Sequence, residues 1–167
     1  INAWVRGTKN DILYGYLYNY YAVTDNRNIA PSGWHVPTQA EFSTLKNYLG
    51  GELVSGGKLK ETGTVYWATS IGATNESGFN GRGGGYRKGT DGSFANIANM
   101  GYFMTSTPNG ASDYQMFYLS HNTTSFVNSA SLSNKHGRSL RLIKDDSNNT
   151  GTVQGNDGRT YKTVKIG

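Results

Sequence analysis

The residue types able to do chemistry are few in this chain and lie far apart. There are three histidines, His35, His121 and His136, eleven carboxylates and no cysteine. Without cysteine there is no thiolate nucleophile, no thiolate metal ligand and no disulfide. No Gly-x-Ser-x-Gly run sets a serine on a strained turn, so that acyl-transfer signature is missing too. His35 adjoins Trp34 and reads as a hydrogen-bonded residue at or near the core rather than as a base. His121 and His136 fall in expected loops of one terminal stretch. A metal pair there needs carboxylates nearby, and their spacing matches no ligand motif. The adjacent acidic pair Asp145-Asp146 sits at a domain end. The run FNGRGGGYR at 79–87 lacks the ending of a phosphate loop and the strand–turn–helix frame of a dinucleotide fingerprint, so its glycines read as structural. The expectation is a non-enzyme with no metal and no cofactor.

What the stretch 109–136 offers instead is recognition. It is rich in Asn, Ser, Thr, Tyr and His. Such side chains give adaptable hydrogen bonds, and the aromatics add rigid contact area, the combination antibody paratopes use. The candidate contacts are Tyr114, Met116, Tyr118, Ser120, His121, Asn122, Ser125, Asn128, Ser131, Asn134 and His136. Taken singly, each is better explained as coating an exposed sheet; only the patch as a whole points to binding.

Composition narrows the partners. The formal charge is +5, but the basic residues are scattered, as in Arg82, Arg87 and Lys88, then Lys135, Arg138 and Arg141. A nucleic-acid footprint needs a dense basic stripe, so nucleic acid is not expected as a partner. No 18-residue apolar run exists, so no membrane span is expected in this fragment. Three sequons, at Asn75, Asn122 and Asn148, are what chance gives in an Asn/Ser/Thr-rich chain. At 167 residues, with 23 glycines and 13% aromatic residues, the chain suits one domain of short strands and long ordered loops.

The elements that must carry these residues centre on 31–51. Pro31-Ser32-Gly33 is a turn, and Pro37 holds Val36 extended. Thr38 to Glu41 forms a capping box, followed by Phe42, Leu45 and Leu49 on one helical face and a Gly50-Gly51 stop. Before it, residues 1–6 read as a short strand. Residues 12–23 read as a strand with Tyr14, Tyr16, Tyr18 and Tyr20 on one face. Residues 52–63 fit either a helical turn or an irregular loop. After them, 101–107, 114–119, 125–131 and 138–143 read as strands, the last three as an antiparallel meander with Leu140 and Leu142 facing the core.

The motifs YGYLYNYYAV, GWHVPTQAEFSTL, GGKLKETG, GFNGRGGGYR, GYFMTST and GRSLRLIKD follow one another over about residues 12–145. In that order they resemble the Fibrobacter succinogenes major paralogous domain family, common in surface and phage-associated proteins of Bacteroidetes-type bacteria. The resemblance implies a C-type-lectin-like fold, shared with the variable proteins of diversity-generating retroelements, and no known catalytic activity. It also implies that 79–87 is a core loop, with closely approaching glycine backbones and Arg82 or Arg87 bonded to loop carbonyls. In the retroelement proteins the terminal region is the diversified one. The chain carries no EPN- or WND-like tripeptide for a calcium–sugar site. It also lacks the active-site cysteines of the formylglycine-generating enzymes that share the fold.

The expectation is therefore an α+β chain, C-type-lectin-like, with mixed or antiparallel twisted sheets, one clear helix and long ordered loops. Residues 1–146 would be the domain and 147–156 a polar linker. Residues 157–167, DGRTYKTVKIG, resemble the family's opening strand. They either begin a tandem copy or complete this domain or a neighbour by strand addition, which would bring self-association. The expected function is ligand binding or adhesion at a bacterial surface or on a phage tail or fibre, recognising protein or glycan through 109–136. The alternative is a structural subunit of a filament, tandem array or virion, linked by the C-terminal strand. Either role is extracellular, cell-surface or virion.

Overall fold

The computed structural model describes residues 4–5, 13–131, 133–145, 152–154 and 158–162. β1 (Trp4–Val5) pairs antiparallel with β2 (Leu17–Tyr18). The tyrosine-rich stretch is not the single strand its alternation predicts. Gly15 takes φ +80°, a left-handed conformation that interrupts a strand. The side chain of Asn19 then accepts the Ala22 N–H at 3.1 Å and starts the short helix α1 (Tyr20–Val23). Its tyrosines diverge as a result: Tyr20 is buried, whereas Tyr16 and Tyr21 are exposed.

β3 (Trp34–His35) leads into α2 (Gln39–Tyr48), which begins with the predicted capping box. The Thr38 hydroxyl accepts the Glu41 N–H at 3.2 Å, and the Glu41 carboxylate accepts the Thr38 N–H at 2.8 Å. Phe42 is 1% exposed, and burying a side chain of that size contributes about 2–3 kcal/mol. Residues 52–59, which the sequence left between turn and loop, form α3 (Glu52–Leu59). A second helix is possible here because Gly56 has no side chain. A Cβ at that position would stand 2.2 Å from the Ser125 carbonyl oxygen, so only glycine lets α3 lie on the 124–125 turn.

β4 (Tyr86–Arg87) pairs with β5 (Phe94–Ala95). β6 (Met100–Pro108), β7 (Tyr114–Ser120) and β8 (Phe126–Ala130) form the central antiparallel sheet, in the order β6-β7-β8. The register sets Phe103 opposite Phe117, Tyr102 opposite Tyr118 and Leu119 opposite Phe126. Alternation therefore gives the sheet two different faces. One carries Phe103, Phe117, Leu119 and Phe126, which pack with Phe42, Leu49, Leu59 and Trp67 from the helical side. The other carries Met104 and Met116, packed with Tyr20 and Tyr114 and flanked by Tyr18, Tyr102 and Leu140. The Tyr20 and Tyr114 rings stack at 4.6 Å and within 1° of parallel.

The stretch 138–143 does not extend this meander, as its alternation predicts. Arg138 bridges Tyr18, and Ser139 bridges Phe103 in parallel. A ladder resumes only at β9 (Ile143–Lys144), which pairs with β3. The segment lies along the outer edge of β6 instead of beside β8, because its backbone groups bond successively to Tyr18, Tyr102 and Met104. Leu140 packs on the second face, and Leu142 is half-buried.

His35 clasps this end. Its Nδ1 lies 2.5 Å from Asp145 and its Nε2 2.8 Å from Glu41. Part of the expected linker is strand: β10 (Thr152–Gln154) pairs antiparallel with β11 (Thr160–Lys162), which falls within the 157–167 segment. Residues 146, 157 and 163–167 lie outside the described residues. Short helices and mainly antiparallel sheets make the architecture α+β. Among the described residues no helix is long and apolar enough to cross a membrane.

Candidate functional site

The second face of the central sheet is not fully covered. Between β4, the three central strands and the segment 136–138 lies a groove of about 380 Å³, within the usual size range of small-ligand sites. Its walls are tyrosine. Tyr86 meets Tyr102 edge-on with centroids 5.6 Å apart, and Tyr102 meets Tyr118 at 6.2 Å. Met100 and Met116 add apolar floor, while Asn96 and Ser129 add polar groups. Asn96 donates its amide to the Tyr102 hydroxyl at 2.9 Å, which fixes that ring.

His136 closes one side, 5.5 Å from the Tyr86 ring. Its Nδ1 accepts the Gly89 N–H at 2.9 Å. Burial pushes its pKa down, and the charges of Arg138 and Lys88 push the same way. The imidazole is therefore neutral at neutral pH and carries its proton on Nε2.

Arg138 is the groove's charged member and is only 5% exposed. Its guanidinium lies 4.8 Å from the Tyr102 centroid and 5.2 Å from that of Tyr86. Nε donates to the Tyr114 hydroxyl at 3.0 Å and Nη2 to the Ser131 hydroxyl at 3.4 Å. Burial pushes the Tyr114 phenol pKa up, so Tyr114 remains neutral and offers no countercharge.

The eleven sequence candidates do not form one patch. Met116, Tyr118 and His136 line the groove. Tyr114 and Ser131 are fully buried, so they support Arg138 from beneath rather than offer contact surface. Ser120, His121, Asn122 and Ser125 gather around the β7–β8 turn, where Ser120 donates to Asn122 and His121 pairs with Thr69. Asn128 faces the opposite side, across from Phe117. Asn134 is tied by its backbone to Ser112 and Tyr20. Sequence reasoning missed Tyr86, Asn96, Met100, Tyr102, Ser129 and Arg138. The one available signal was the period-two pairing of Tyr102 with Met104 against Phe103, which puts Tyr102 on the face of Met116 once β6 and β7 are in register.

Two other basic residues bond backbone carbonyls. Arg82 donates to Glu61 at 2.5 Å and to the Leu13 carbonyl at 2.8 Å. Arg141 donates to the Asn80 carbonyl at 2.9 Å. Among the described residues no cluster of three or more His, Cys, Asp or Glu is placed to hold a metal ion. No curated protein and no solved structure matches the chain. The family model of the Fibrobacter succinogenes major domain matches residues 4–144, and the chain belongs to that family.

Proposed function

We propose that the chain is a non-enzymatic ligand-binding or adhesion module of C-type-lectin-like fold, displayed on a bacterial surface or a phage tail or fibre. The observation that carries this reading is the tyrosine-walled groove on the second sheet face, a concave site edged with the neutral Asn96, Ser129 and His136 and the cationic Arg138. Rings of this kind stack on the apolar faces of sugars and on side chains of proteins, and their rigidity keeps the entropy cost of contact low. The contact region narrows from 109–136 to β7, β8 and His136, joined by Tyr86 and Tyr102 from earlier in the chain. The alternative of a structurally linked subunit has less support, because the described tail strands β10 and β11 pair with each other.

The test is a binding screen of the full chain against a glycan array and intact bacterial cells, followed by substitution. Tyr118→Ala is expected to weaken binding about tenfold or more, as loss of an aromatic anchor does. His121→Ala and Asn122→Ala, at the far turn, are expected to leave it unchanged. Binding that follows the turn and ignores Tyr118 would overturn the assignment, as would a folded chain that binds neither glycans nor cells.

A further inference from the structure

Among the described residues the groove holds a cation with no anion. Arg138 is only 5% exposed, yet among these residues it makes no ion pair and no acidic side chain lines the groove. A guanidinium has five N–H donors. Two hydroxyls, of Tyr114 and Ser131, take one donor each, and the faces of Tyr86 and Tyr102 cover the π surface. Among the described residues the other three donors have no hydrogen-bond partner, and Arg138 lines the groove. Burying a charge is costly unless it is paired, and hydroxyl partners do not neutralise it.

We propose that the groove takes a carboxylate-bearing sugar, its carboxylate seated on Arg138 and its ring against Tyr102 and Tyr118. This rests on the ligand-binding reading above and names the ligand class. A planar guanidinium with a free edge matches a planar carboxylate in two parallel hydrogen bonds, a geometry a lysine cannot supply. A sugar ring fits better than an acidic peptide for two reasons. The walls are aromatic and thioether, suited to the apolar face of a pyranose. The polar groups beside them are neutral: the Asn96 amide, the Ser129 hydroxyl and the His136 Nε2–H, suited to ring hydroxyls. The single cation answers a single charge on the ligand. The tyrosine faces on either side of the guanidinium shield it from water, which strengthens the ion pair formed there.

The experiment uses the full chain and calorimetric titration with oligogalacturonide, alginate oligosaccharide and sialyllactose, each beside its methyl ester. Esterification keeps the ring and removes the charge. At least one free acid is expected to bind about tenfold or more tightly than its ester, with an affinity that falls as salt rises. Arg138→Met is expected to abolish that preference and leave residual binding at the ester's level. The wild-type acid-to-ester ratio stands even if that variant misfolds. Equal affinity for acid and ester overturns the proposal, and so does an absence of binding by all three acids. Tighter binding of a polyglutamate peptide than of any acidic sugar would overturn it in favour of a peptide ligand. Tyr118-dependent binding of a neutral glycan would sink this inference while sparing the ligand-binding reading.

Discussion

Two buried cations in this molecule are treated in opposite ways. Lys60 is fully buried, and its ammonium donates to three backbone carbonyls, of Ile71, Ser120 and Thr123, at 2.8, 2.9 and 2.6 Å. All three of its protons are used. Burial pushes its pKa down to about 8, which still leaves it an ammonium at neutral pH. It ties the end of α3 to the 71 loop and the β7–β8 turn, and nothing can reach it. Arg138 is nearly as buried, but its two protein partners are hydroxyls, its faces are covered by tyrosines and it borders a groove. The lesson is that burial alone does not make a charge structural. What separates the two is whether the protein itself uses up the donors.

The sharpest way to break this comparison is Lys60→Met. It leaves three enclosed carbonyls without a donor, each costing about 1–3 kcal/mol, offset in part because no charge is buried, so a net loss of about 3–4 kcal/mol is expected in urea unfolding. A loss below about 1 kcal/mol would mean that the carbonyls find water and that Lys60 is not a clamp. Gly56→Ala tests the same corner from the backbone side. With the new Cβ 2.2 Å from the Ser125 oxygen, α3 must move off the turn that Lys60 holds, at a cost of about 2–3 kcal/mol. An unchanged melting temperature would show that the helix and turn shift freely.

A smaller effect separates these clamps from an exposed one. The bonds to Asp145 and then Glu41 raise the His35 pKa. Because the folded value lies above the unfolded one, the stabilisation is complete below about pH 6.5 and is lost as pH rises through the folded pKa. At the acid end, burial raises the Glu41 pKa, but the Thr38 N–H and hydroxyl and His35 outweigh it and bring it below its ordinary value. That contribution is lost as pH falls through the depressed value. The side chains are 37–49% exposed, so solvent screening keeps the histidine's share below about 1 kcal/mol. Melting curves are expected to fall slightly from pH 6 to 8 in the wild type and to lose that slope in His35→Ala. The same slope in both proteins would contradict the clasp.

What was legible in the sequence follows local physics. The capping box, apolar stripe and glycine stop of α2 are all contained within a dozen residues, and the structure reproduces them. Strands β6, β7 and β8 fall within a residue of their predicted ends, because alternating aromatics bounded by polar turns define them locally. Helix α1 was hidden because tyrosine alternation outweighed a single capping asparagine, and α3 because its glycines make sense only against a turn some 70 residues away. The groove was the least legible part. Tyr86, Tyr102, Tyr118 and Arg138 come from four segments, and only the sheet register and the bridging of 137–139 to Arg87, Tyr18 and Phe103 bring them together. The candidates chosen by type within 109–136 include three of its members, Met116, Tyr118 and His136, and leave out Ser129 and Ala130 of the same stretch.

The most direct test of the contrast is the unfolding free energy of Arg138→Met, measured beside Lys60→Met in the absence of any ligand. A charge kept for a ligand is not needed by the empty fold, and Tyr114 still has the Ser131 hydroxyl within reach. The expected result is a stability within about 1 kcal/mol of the wild type, or above it, as when a buried ion is replaced by a well-packed apolar side chain. A loss of about 3 kcal/mol or more, matching Lys60→Met, would make Arg138 a second structural clamp and contradict the account.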